Sequence, residues 1–126
     1  MGIKASTEIL LVDESQVSRS NAKQVLNRLG LRKIVEVSNG QKAYDHMAVS
    51  TPGLIICDFN VSGLNAMELI TTIKLNPEYS KVPFVLLIEE STQEIIINAS
   101  KAGVNGILVK PFSQQSLTEV LVKIFN

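Results

Sequence analysis

A single cysteine, Cys57, rules out an intramolecular disulfide and fits a reducing compartment. A single histidine, His46, has no cysteine or second histidine at ligand spacing, so a surface or half-buried place on a helix is expected rather than metal binding or phosphotransfer. Excess charge is missing too. Lysine plus arginine and aspartate plus glutamate number 12 each, so no overall field draws nucleic acid or an anionic membrane. No apolar run nears the length of a membrane span, and the first residues lack the apolar core of a signal peptide. Neither a linker nor a low-complexity tract interrupts the chain. These absences point to one domain over residues 1–126, soluble and cytoplasmic, with no nucleic-acid or membrane partner. A domain of this length buries about two-thirds of the surface its unfolded form would expose, enough for a core without staples.

What the chain does have is a set of short apolar runs, each ending in charge. Leu54-Ile55-Ile56-Cys57 runs without a break into Asp58, with Pro52-Gly53 in front of it. That pattern reads as a strand buried on both faces. Glu8-Ile9-Leu10-Leu11-Val12 ends in Asp13-Glu14, and Gly106-Ile107-Leu108-Val109 ends in Lys110. Ile34 to Val37 and Phe84 to Ile88, the latter introduced by Pro83, are two further strands.

Between the strands the period changes to that of helices. Ala22, Val25, Leu26 and Leu29 form one stripe, with Ser15 as cap and Gly30 as stop. A second helix is expected from Ser38, with Gln41 three residues on, to about Ser50. A third carries Ala66, Leu69, Ile70 and Ile73 inward and stops before Asn76-Pro77. A fourth is expected to open on a Ser91/Glu94 capping pair, turn Ile95, Ile96, Ala99 and Ala102 inward and end at Gly103. The last starts at Ser113 and buries Leu117, Val120, Leu121 and Ile124. Five strands alternating with five helices imply an open, doubly wound α/β sheet, too short for an eight-stranded barrel.

In such a sheet the carboxyl ends of the strands form the ligand-binding crevice, where a carboxylate is expected to be displayed. Asp13, Glu14 and Asp58 gathered there concentrate negative charge and invite a cation. Mg²⁺, commonly held by one or two carboxylates while keeping several waters, suits such an open rim. Lys110 adds a movable point charge, and Asp58 would be the nucleophile for a phosphoryl group. On spacing alone, an ordinary ion pair between Asp58 and Lys110 with the other acids solvated accounts for the pattern equally well.

The chain resembles a response-regulator receiver domain, and most of all the single-domain chemotaxis regulators. The resemblance runs through Leu11-Val12-Asp13-Glu14-Ser15, the strand ending in Asp58, Asn60 two places later, and Ala102-Gly103-Val104-Asn105-Gly106 leading to Lys110-Pro111-Phe112. It implies a flavodoxin-like (βα)5 fold with a five-stranded parallel sheet in the order 2-1-3-4-5. It also implies a two-component signalling module rather than an enzyme. Asp58 would be the phosphoacceptor, loaded from a histidine kinase or phosphotransfer protein. Asp13, Glu14, Asp58 and the backbone carbonyl of Asn60 would hold Mg²⁺, Lys110 would pair with the phosphoryl oxygen, and Lys110-Pro111 would be cis.

Several departures stand beside the match. The hydroxyl residue usual at the end of the fourth strand is Ile88, the small residue after it is Glu89, and the aromatic of the fifth strand is Ile107. The loop after Asp58 has Ser62 and Ala66 where proline and glycine are customary, and the second acid is Glu14 in place of the commoner aspartate. The coupled switch of hydroxyl and ring has lost both members. One reading keeps phosphorylation of Asp58, with output through the fourth-helix and fifth-strand face to a downstream protein or a second copy. The other is a phosphorylation-independent pseudo-receiver that works by docking. A haloacid-dehalogenase-like phosphatase is a distant third, because Asn60 stands where its general acid would be.

Overall fold

The computed structural model describes residues 2–126. Its elements alternate strictly: β1 (Ile9–Val12), α1 (Gln16–Arg28), β2 (Ile34–Val37), α2 (Gly40–Met47), β3 (Leu54–Asp58), α3 (Ala66–Leu75), β4 (Phe84–Ile88), α4 (Gln93–Ala102), β5 (Gly106–Val109) and α5 (Gln114–Phe125). All strand pairs are parallel, and the sheet order is β2-β1-β3-β4-β5. The expected doubly wound arrangement is therefore the one observed. Each helix returns the chain to the amino edge, so every strand delivers its following residue to the same carboxyl edge.

The apolar runs are continuous because both faces of the sheet are covered. Along β3, Leu54 and Ile56 pack with Ala22 and Leu26 of α1 and Leu117 and Leu121 of α5. Ile55 and Cys57, pointing the other way, pack with residues of α2, α3 and α4. All five residues of β3 and of β4 are buried. Strands β2 and β5 form the edges, and Val109 at the end of β5 is 46% exposed.

Helix boundaries follow hydrogen bonds that periodicity does not reveal. Ser15 caps α1 as expected, and Gly30 adopts φ +83° just beyond its end. The cap of α2 is Asn39 rather than Ser38. Asn39 Oδ1 accepts from Lys42 N at 2.9 Å, whereas Ser38 Oγ accepts from the Lys42 ammonium at 3.3 Å. The helix also ends at Met47, short of the expected Ser50. In α4 the cap is Thr92 rather than Ser91, its Oγ1 accepting from Ile95 N at 3.2 Å. Ile95, Ala99 and Ala102, at i, i+4 and i+7, then take the inward stripe. Ile96, expected inside, turns out to be 41% exposed, next to the exposed Ile97.

One glycine decides where the loop after β3 lies. A Cβ on Gly40 would fall 1.8 Å from the carbonyl oxygen of Leu64, and Gly40 N donates to Ser62 O at 3.0 Å. The missing side chain lets loop 61–64 rest on the first turn of α2, beside the carboxyl end of β3.

Candidate functional site

Three strand ends supply the centre of the site. Asp13 follows β1, Asp58 closes β3 and Lys110 follows β5. Strands β1 and β3 are neighbours, so their acids are adjacent by register. Lys110 starts two strands away from β3, beyond β4, and its long side chain spans the gap. The ammonium lies 2.8 Å from Asp58 Oδ1 and 3.2 Å from Asp13 Oδ2.

Both carboxylates are buried, Asp13 at 3% and Asp58 at 5% exposure. This corrects the expectation of a displayed carboxylate. The Lys110 side chain lies against both acids and a backbone N–H bonds to each, below the surface. Each is held by the chain that follows it. Asn60 N donates to Asp58 Oδ2 at 3.1 Å, and Ser15 N donates to Asp13 Oδ1 at 2.9 Å. Asp58 Oδ1 is reached by no backbone N–H or hydroxyl, and its one partner is the Lys110 ammonium.

The charge does not balance within this cluster. Two buried carboxylates share one ammonium, and the nearest other cation, Arg19, serves a different purpose. Its guanidinium donates to the backbone carbonyl of Asp13 and forms an ion pair with Glu36 at 3.4 Å. Burial pulls the Lys110 ammonium toward its neutral form. Hydrogen bonding to Asp58 and the charges of Asp58 and Asp13 outweigh that pull, and the pKa stands above its ordinary value.

Glu14 does not join the acids. Its side chain is exposed and Oε1 accepts from Ser62 N at 2.6 Å, tying the rim to the loop after β3. Among the described residues, no three His, Cys, Asp or Glu side chains are grouped as a metal ion needs. Asn60 is exposed at the mouth. Ile88 is buried and Ile107 half-buried in one apolar cluster, so neither brings a polar atom to the rim. Glu89 is exposed, forms no ion pair with Lys110, and borders two hollows beside it. The larger, about 470 Å³, lies between α1 and the connection from β5 to α5, lined by Val17, Ser18, Ala22, Lys110 and Phe112 among others.

Cys57 and His46 take no part in the cluster. Burial, reinforced by the charges of Asp58 and Asp13, pushes the Cys57 thiol far up and leaves it inert. Half-buried His46 faces Glu8, ahead of β1, at 3.4 Å, away from the carboxyl edge. Sequence reasoning missed Ser18. Its hydroxyl donates to Asp13 Oδ2 at 2.5 Å and accepts from the Lys110 ammonium at 3.0 Å. The only local clue is its place three residues after the cap Ser15, on the turn that faces the strand end.

Fold and site together define a class: a doubly wound α/β domain with an acid-lysine cluster at the carboxyl edge of its sheet. Residues 9–122 match the model of the response regulator receiver domain, and the chain belongs to that family, the receivers of two-component signalling. Chemotaxis protein CheY-3 of Vibrio cholerae is 32% identical over 124 residues, covering 98% of this chain and 95% of that protein. Chemotaxis protein CheY1 of Helicobacter pylori is 31% identical over 115 residues, covering 90% and 93%. Among solved structures, a putative response regulator from Chloroflexus aurantiacus superposes with a TM-score of 0.88 at 24% identity, covering 94% of this chain and 97% of that one. Chemotaxis response regulator CheY4 of Vibrio cholerae gives 0.83, also at 24%, covering 94% and 98%. The structural matches speak for the fold. No described helix is long and apolar enough to cross a membrane.

Proposed function

We propose that this chain is a phosphoacceptor receiver that takes a phosphoryl group on Asp58 from the phosphohistidine of a sensor kinase or phosphotransfer protein. The observation that carries the reading is Asp58 Oδ1: a buried carboxylate oxygen at a strand end whose one partner is a flexible ammonium. In the transfer a carboxylate oxygen of Asp58 attacks phosphorus, the P–N bond breaks, and the departing imidazole keeps the electron pair and takes a proton. The product is an acyl phosphate. Lys110, already against Asp58, turns its ammonium onto the incoming phosphoryl oxygens without leaving the rim.

The donor set fits a hard divalent cation. Two buried carboxylates against one ammonium leave one negative charge unmatched, and all the available donors are oxygens. Asp13, Asp58, the backbone carbonyl of Asn60 and, once released from Ser62, Glu14 would hold Mg²⁺. When bound, the ion would offset the charge of the acids and draw phosphate oxygens to them. A fold neighbour at 24% identity and TM-score 0.77 is described as the Mn²⁺-bound form of response regulator Rcp1, in keeping with this donor chemistry.

Ile88 and Ile107 leave no hydroxyl or ring to couple the phosphoryl group to the β4 and β5 side of the sheet. Output through α4 and β5 then rests on apolar contact with a downstream protein or a second copy, for which Ile96, Ile97 and Val109 are exposed. Incubation with a small phosphodonor and Mg²⁺, read by intact mass, tests the proposal. The native chain gains one phosphoryl group and Asp58→Ala gains none. Absence of the gain in the native chain, with Mg²⁺ binding demonstrated by calorimetry, makes the chain a phosphorylation-independent docking module. Continuous turnover of a phosphomonoester makes it a phosphatase.

A further inference from the structure

The Lys110 ammonium has three protons, and three oxygens surround it: Asp58 Oδ1 at 2.8 Å, Ser18 Oγ at 3.0 Å and Asp13 Oδ2 at 3.2 Å. Two are the acids of the cluster. The third belongs to a serine on α1, which bridges the ammonium and one of those acids. Its geometry is directional, because a hydroxyl has one proton to give. Ser18 gives it to Asp13 Oδ2, which leaves the lone pairs of Oγ facing Lys110. Ser18 is itself held in place, since its backbone N–H donates to Ser15 Oγ at 3.1 Å and Ser15 N–H donates to Asp13 Oδ1. The first turn of α1 is thereby bound to the carboxylate that competes with Asp58 for the ammonium.

We propose that Ser18 is a positioning residue of the phosphoacceptor site, its hydroxyl holding the Lys110 ammonium at the rim beside Asp58. This rests on the reading of Asp58 as the acceptor. With two of its three protons retained by Ser18 and Asp13, Lys110 exchanges one bond, from Asp58 Oδ1 to a phosphoryl oxygen, and stays in place during transfer. Without the hydroxyl, the ammonium has carboxylates alone to bind and settles between them, where it opposes the cation and is held away from the incoming phosphoryl oxygens.

A role confined to helix structure predicts something different. Alanine is the better helix former, so Ser18→Ala on structural grounds alone changes stability slightly and phosphoryl uptake not at all. The test compares the native chain, Ser18→Ala and Ser18→Thr, which keeps the hydroxyl. Phosphoryl uptake from a small phosphodonor at saturating Mg²⁺ is followed by intact mass. Exchange of the Lys110 ammonium protons with water is followed by ¹⁵N-resolved NMR without phosphodonor.

The expected result is uptake slowed about tenfold in Ser18→Ala and restored in Ser18→Thr, with ammonium exchange several-fold faster in the alanine variant alone. Native rates of uptake or of ammonium exchange in Ser18→Ala overturn the proposal. If the native chain takes up no phosphoryl group, the reading of Asp58 fails by itself. The ammonium measurement then still decides whether Ser18 holds Lys110.

Discussion

Replacing Lys110 with methionine keeps the side chain to within one atom of its length and removes its charge, leaving two buried carboxylates with no cation between them. Breaking a buried ion pair by deleting one partner costs about 3–5 kcal/mol, because the other charge stays buried and unmatched. Lys110 keeps 16% of its side-chain surface exposed, which places the cost near the lower figure, about 3 kcal/mol. For a domain of this size that lowers Tm by roughly 10 °C. Asp58→Asn acts in the opposite sense. It removes one of two like charges and keeps an oxygen for Asn60 N, so stability stays level or rises by about 1 kcal/mol. The double variant Lys110→Met, Asp58→Asn is then less destabilised than Lys110→Met alone, with a coupling of about 1–3 kcal/mol. Urea unfolding of the four chains at neutral pH and without Mg²⁺ measures the cycle.

Alkaline pH supplies the check on sign. The folded pKa of Lys110 is raised, so its contribution is fully present below the unfolded lysine value of about 10.4 and is lost as pH rises through the folded value. The gap between the native chain and Lys110→Met therefore narrows above that pH. A Lys110→Met chain as stable as the native one at neutral pH would falsify the buried-pair argument, since it would mean that solvent already balances both acids.

Two further outcomes follow from the packing. Gly40→Ala puts a methyl group against the Leu64 carbonyl and forces loop 61–64 away from α2. The expected loss is about 2 kcal/mol or more by urea unfolding, and an unchanged midpoint means the loop yields freely. Ile97→Glu, at an exposed position of α4, keeps stability within about 0.5 kcal/mol and weakens self-association of the phosphodonor-treated chain in sedimentation equilibrium. Equal association of both chains removes α4 as a contact between copies.

The alternation of apolar runs and helical stripes was sufficient for the doubly wound class, whereas the strand order followed from the family resemblance. Both signals are local: Ile9 to Val12 and Leu54 to Cys57 are unbroken because a parallel sheet is covered on both sides, and Ala22, Val25, Leu26 and Leu29 repeat at helical spacing because α1 is covered on one. Charges at the strand ends were legible for the same reason, since a doubly wound sheet sends every strand end to one edge. Caps were less so. Asn39 and Thr92 took over from Ser38 and Ser91 because neighbouring polar residues compete for the same N–H, and backbone geometry alone chooses between them.

What the order of residues could not contain is which partner each rim group selects. Lys110 lies 97 residues from Asp13 and 92 from Ser18 in the chain, and their meeting depends on the crossing of β4 by one long side chain. Tertiary structure turned Glu14 away to Ser62, buried Asp13 and Asp58, and brought Ser18 in from α1. Those assignments depend on distances and bond directions between elements remote in sequence, whereas strand and helix patterns depend on which side of one element faces the core.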